Sequence, residues 1–151
     1  MADVIKLFND VFGDVDMSHT DKIMRAETLI SQQPQVALRT DSHFSDGLYA
    51  RTIHIPAGTI LTGKIHLRAH LNIISMGTIL VKTDAGDVEI TAPAVINSEP
   101  GTKRLGYALT DCVWTTIHAS DAATAEAAED ELVVSTVQEY QIKKLEVVCP
   151  S

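Results

Sequence analysis

His66 and His70 stand four residues apart in a stretch that otherwise reads as β-strand and is bracketed by Gly58, Gly63 and Gly77. Imidazole is neutral near pH 7 and offers a ring-nitrogen lone pair. Two such rings on a rigid β scaffold are the start of a divalent-metal site. No other grouping in the chain suggests chemistry as strongly. There is no Gly-x-Ser-x-Gly elbow to expose a serine nucleophile. Nor is there a glycine loop of the kind that cradles phosphate. Asp130 and Glu131 are adjacent acids among alanines and other acids, with no apolar setting to raise a carboxyl pKa, so solvation is their expected role. Trp114 and Tyr107 read first as core aromatics of a sheet end.

The elements that must position the histidines follow from hydrophobic spacing. Val4, Leu7, Phe8, Val11 and Phe12 recur at three and four residues, one stripe of a helix that Gly13 and Asp14 end. Ser18 followed by Asp21 fits a capping box, and Ile23, Ala26, Leu29 and Ile30 form a second stripe stopped by Pro34. These helices are expected to pack on the outside of a sheet. The alternative is that one stripe docks a partner. From residue 36 onward short β-branched runs take over, at 48–55, 60–67, 71–75, 78–83, 88–92, 94–96 and 113–118. Turn chemistry separates them: Ser45-Asp46-Gly47, Pro56-Ala57-Gly58, Asp84-Ala85-Gly86 and Glu99-Pro100-Gly101. Short strands without alternating long helices point to an antiparallel sandwich or small barrel. Residues 119–131 hold five acids and no base, a solvated arm or short helix. A further strand is expected at 132–137, and the chain ends in an apolar tail. The expected organisation is a helical segment at 1–35, a β barrel at 36–118, and an acidic arm with a C-terminal strand at 119–151.

A chain of 151 residues is the size of one domain and long enough to bury a full core without staples. The net charge of −8 excludes the basic face of a nucleic-acid binder and disfavours an anionic membrane as partner. No apolar run approaches the ~20 residues that span a bilayer, and the N-terminus lacks an export pattern. Cys112 and Cys149 are widely spaced and read as buried free thiols of a reducing compartment, so the expected location is the cytosol.

The histidine segment resembles the first motif of the cupin superfamily. Gly77 stands as the motif's closing glycine, His70 in its glutamate slot, His66 on its second histidine, and Lys64 on its first. Glu99-Pro100-Gly101 resembles the turn of the second motif, with Arg104 near that motif's histidine slot. The wider strings at 43–51, 55–66, 100–104, 106–107 and 113–118 are similar to small cupin-like proteins of tailed bacteriophages and prophages. The resemblance covers about residues 43 to 118, half of the chain.

The resemblance implies a mainly β fold: an antiparallel jelly-roll barrel with short N-terminal helices and a C-terminal extension. In such a fold the last strand runs beside the first motif, which makes His118 the expected third ligand with His66 and His70, and His54 the second choice. A three-histidine site suits Zn²⁺, Fe²⁺, Ni²⁺ or Mn²⁺. Lys64, Arg104, Tyr49 and Tyr107 are then expected to fix an anionic ligand at the barrel mouth. Lys64 and Arg104 cannot ligate a metal while protonated, so the site departs from the family pattern. Three readings follow. The first is a phage-type cupin that binds a metal or small ligand. The second is a structural protein that uses the barrel as scaffold, as a virion component or a binder of a host complex. The third is a three-histidine dioxygenase or isomerase. Each is expected to act as a homodimer or within a protein assembly, without nucleic acid or membrane, in a host cytoplasm or virion if phage-encoded.

Overall fold

The computed structural model describes residues 6, 9–13 and 16–148. Val4, Leu7 and Phe8 of the first expected stripe, and Cys149 at the far end, lie outside the described residues. The helices whose bounds fall within the described residues are α1 (His19–Ser31), α2 (Ala125–Leu132) and α3 (Val137–Val148). Eleven strands run β1 (Arg39–Ser45), β2 (Leu48–Ile55), β3 (Ile60–Thr62), β4 (Ile65–His66), β5 (His70–Met76), β6 (Thr78–Thr83), β7 (Gly86–Thr91), β8 (Ala94–Ser98), β9 (Leu105–Ala108), β10 (Cys112–Ala119) and β11 (Val133–Val134).

Two antiparallel sheets carry the fold, in the orders β1-β2-β10-β5-β8 and β3-β9-β6-β7, with a small β11-β4 pair beside them. The pairs β2–β10, β3–β9, β5–β8 and β6–β7 are nested in sequence. One long antiparallel ribbon gives this pattern when it is rolled up, with β6–β7 at its tip and β2–β10 at its base. Successive rungs fall in opposite sheets, and rolling adds the β10–β5 and β9–β6 contacts. This is the jelly-roll arrangement.

The expected closed barrel is corrected in one respect. The two large sheets share no strand pairing, so they face each other as a sandwich. The ladder breaks where the chain passes from one sheet to the other, and Gly58 and Gly77, both at positive φ, stand at two of these crossings. Gly77, between β5 and β6, has φ +88°, and a Cβ there would lie 2.1 Å from the Asp111 carbonyl oxygen. No other residue fits that position.

Other boundaries shift for local reasons. The expected strand at 60–67 is two strands, because Gly63 and Lys64 carry β4 out of the four-stranded sheet to pair with β11. The strands β1 and β9 were not anticipated; both are polar or glycine-bearing and lack a run of β-branched residues. The expected C-terminal strand reduces to Val133–Val134, and the chain continues as α3. Thr136 and Glu139 make that helix start: Glu139 N–H donates to Thr136 Oγ1 at 3.1 Å, and Glu139 Oε2 accepts from the Thr136 N–H at 3.2 Å.

The core has three parts. Ile55, Ile79, Val81, Ala108 and Cys112 close one end of the space between the sheets. The α1 residues Ile23 and Ala26 pack with Val11 on Leu105, so this stripe buries on the outside of the four-stranded sheet as expected. The α2 residues Ala128 and Leu132 pack on Tyr49 at the other end. Among the described residues no helix is long and apolar enough to cross a membrane.

Candidate metal centre

The three histidines arrive from three strands. The side chains of β10 alternate, so Cys112, Trp114, Thr116 and His118 share the face toward the opposite sheet. On β5, His70 shares its face with Asn72, which also turns inward. His66 comes from β4, held in place by the Val133 pairing. The ring centroids lie 4.0 Å apart for His66 and His70, 4.6 Å for His70 and His118, and 5.0 Å for His66 and His118. One ligand nitrogen from each lies within 4.8 Å of the others.

The hydrogen bonds set the tautomers. His70 Nδ1 lies 3.0 Å from the Arg68 carbonyl oxygen, so Nδ1–H donates and Nε2 carries the lone pair. That Nε2 is buried without a hydrogen-bond partner. His118 Nε2 lies 3.0 Å from His66 Nδ1, and His118 Nδ1 is buried without a partner. Buried ring nitrogens are normally satisfied. Two orphaned nitrogens in one cluster, one of them backed by a backbone acceptor, are the arrangement of imidazoles that ligate a cation. Burial holds His66 down to about 3 and His118 to about 4, with the neighbouring histidine charges as the next cause, and burial lowers His70 as well. All three rings are therefore neutral at pH 7, the form that ligates. The donor set fits a divalent ion.

A cavity of about 360 Å³ opens beside the cluster, lined by His66 and His118 but not by His70. Tyr49, Lys64 and Arg104, the residues expected to fix an anionic ligand, are among those that line it. Tyr107 does not. It lies two residues from Leu105, on the β9 face turned away from the cavity that Arg104 and Gly106 line. His54, the second choice for third ligand, faces out of the cavity and lies 3.0 Å from Asp41. Lys64, in the first histidine slot, is ion-paired with Glu129 and ties the β4 loop to α2. Arg51 was not anticipated. It lies two residues after Tyr49 on the same face of β2, and it lines the cavity. The period of two would have revealed it once Tyr49 was placed.

No protein-family model and no curated protein matches the sequence. Solved structures do match in outline. A cupin domain of Bordetella pertussis is 14% identical over 58% of this chain and 98% of its own, with a TM-score of 0.46. A cupin superfamily protein of Desulfitobacterium hafniense is 11% identical over 59% of this chain and 83% of its own, with a TM-score of 0.48. An RmlC-like cupin protein of Desulfovibrio desulfuricans is 21% identical over 54% and 82%, with a TM-score of 0.46.

Proposed function

We propose that this chain is a metal-binding protein of cupin type, in which His66, His70 and His118 hold one divalent transition ion. The observation that carries the reading is the pair of buried, partnerless nitrogens His70 Nε2 and His118 Nδ1 in a cluster of three neutral imidazoles. Three nitrogen donors suit Zn²⁺, Fe²⁺, Ni²⁺ or Mn²⁺. Such an ion supplies Lewis-acid character and an open position for an oxygen ligand. The residues of the chain do the rest: the Arg68 carbonyl orients His70, and the β11 pairing fixes His66. Elemental analysis of purified wild type beside His118→Ala tests the proposal. Near-stoichiometric metal lost in a folded variant is expected. Wild type that takes up no metal on reconstitution with any of the four ions would refute it.

A second reading, a protein that assembles with itself, has its own observation. On the outer face of the five-stranded sheet Leu48, Leu71, Met76 and Val95 are 49%, 44%, 48% and 67% exposed. The registers place them on one surface with Ala50 and Ile117. Apolar faces of this kind mark contact surfaces, and a second copy of the same face makes a two-fold dimer. Sedimentation is expected to give a dimer for wild type and a monomer for Leu71→Asp. A wild-type monomer at 100 µM, an estimate of a concentration that favours weak dimers, argues against it.

A further inference from the structure

The strand registers arrange the cavity in layers. Tyr49 lies opposite His118, then Arg51 opposite Thr116, Ile53 opposite Trp114, and Ile55 opposite Cys112. One end is polar and cationic, with Arg51 and Lys64 exposed at the mouth. The other is apolar and closed.

Two guanidinium groups in this cavity touch no acid: Glu129 also lines it and its carboxyl feels the Arg51 charge, but it is ion-paired with Lys64. Among the described residues, neither the Arg51 nor the Arg104 guanidinium makes a hydrogen bond or contact ion pair, although both line the cavity. By contrast Arg39, Lys64, Arg68, Lys82 and Lys103 each hold an acid. Scarcity of partners is not the cause, since the chain has 20 acids and 12 bases. Arg104 is half-buried, and a guanidinium cannot discharge by losing its proton, so its burial without a contacting counter-charge leaves an unmet cost. Arg51 on β2 and Arg104 just before β9 line the same cavity, and its lining also includes His66 and His118.

We propose that the cavity binds a small carboxylic acid with an apolar body, its carboxylate held by Arg51 and Arg104 and its body against Ile53, Trp114 and Val81. The planar guanidinium matches a carboxylate through paired N–H donors. The apolar walls exclude a bare inorganic anion as the best-fitting ligand, because it would leave them uncovered. Capture by the arginines does not require the ion, so the test uses protein as purified and protein stripped by a chelator. Loss of the metal reading then leaves carboxylate binding separately measurable.

Trp114 is the sole tryptophan of the chain and lines the cavity, so its fluorescence reports occupancy. Titration with acetate, hexanoate and octanoate, with hexanamide and inorganic phosphate as controls, is the experiment. Hexanoate is expected to give a saturable change, and hexanamide and phosphate to bind at least ~10-fold more weakly. Arg51→Gln, at the exposed mouth, is expected to weaken hexanoate at least ~10-fold, and Arg104→Lys, which keeps the charge but loses the fork, by a smaller factor. Circular dichroism checks that both variants fold. The proposal is overturned by three results: no saturable response to any of the three carboxylates, hexanamide binding as well as hexanoate, or Arg51→Gln binding hexanoate like wild type.

Discussion

At the scale of single residues, the cluster works because His70 donates Nδ1–H to the Arg68 carbonyl and so presents Nε2 inward. The same burial that leaves this nitrogen without a partner makes the folded chain poor at taking up protons. An imidazole in the unfolded chain titrates near 6.5, whereas His66 is held at about 3 and His118 at about 4, with burial the largest cause. Below pH 6.5 the unfolded chain therefore binds protons that the folded chain refuses. Stability is full above that value and is lost as the pH falls toward 4 and then 3. Urea midpoints of the metal-stripped protein at pH 7.5, 6 and 5 are expected to fall steadily, and His118→Gln to flatten the profile. A wild-type midpoint that does not move between pH 7.5 and 5 would contradict this account. The site was legible in part. His66 and His70 follow from residue type and family slot, His118 from the strand neighbours that the resemblance implies, and the three meet. Tyr107 was named on type alone, and strand parity turned it away from the cavity. Arg51 follows from Tyr49 by the period of two, once the pairing of β2 with β10 shows that the Tyr49 face is inside.

At the scale of elements, α1 is tied to the sheet by a polar clamp as well as by its apolar stripe. Glu27 Oε2 accepts from Lys103 Nζ at 2.8 Å and from Thr62 Oγ1 at 2.6 Å, and Lys103 also donates to the Gly63 carbonyl at 2.8 Å. The Lys103 side chain is 1% exposed and Glu27 37%. Removing the acid alone leaves a buried ammonium with one carbonyl for partner. Glu27→Ala is expected to cost about 2–4 kcal/mol, toward the low side of a buried pair because Glu27 meets water. The double variant Glu27→Ala with Lys103→Met is expected to recover most of that loss, since no charge is then stranded. Urea unfolding of the two variants decides it: a cost below about 0.5 kcal/mol for Glu27→Ala would show the clamp idle. The α1 start was legible because Ser18 and Asp21 form a local cap, with Asp21 N–H donating to Ser18 Oγ at 3.1 Å. The α3 start carries an equally local pattern, Thr136 followed by Glu139, but the β-branched run before it reads as strand.

At the scale of the whole molecule, the nested pairing explains how distant segments build one site. β2 and β10 are far apart in sequence yet adjacent in space, and Tyr49 and His118 are register partners. The acidic stretch, expected as a solvated arm or short helix, forms α2, whose Ala128 and Leu132 are buried against Tyr49 and cover the histidine end of the cavity. A helix of alanines and acids looks unattached in sequence. Its attachment consists of two small apolar contacts, the β11–β4 pairing, and ion pairs from Lys64 to Glu129 and Arg68 to Glu131. Each of these partners is remote in the chain.

The sequence by itself determined what depends on neighbours a few residues away: the capped helix α1, the glycine-bearing turns and most of the short antiparallel strands. A cap or a turn is decided by side chains within one turn of backbone. What only the tertiary structure decided was which face of each strand looks inward, that the two sheets stay open to one another, and that Arg51 and Arg104 line the histidine cavity without contacting an acid. Those facts depend on the register between strands, and register is a property of the folded pair rather than of either strand alone.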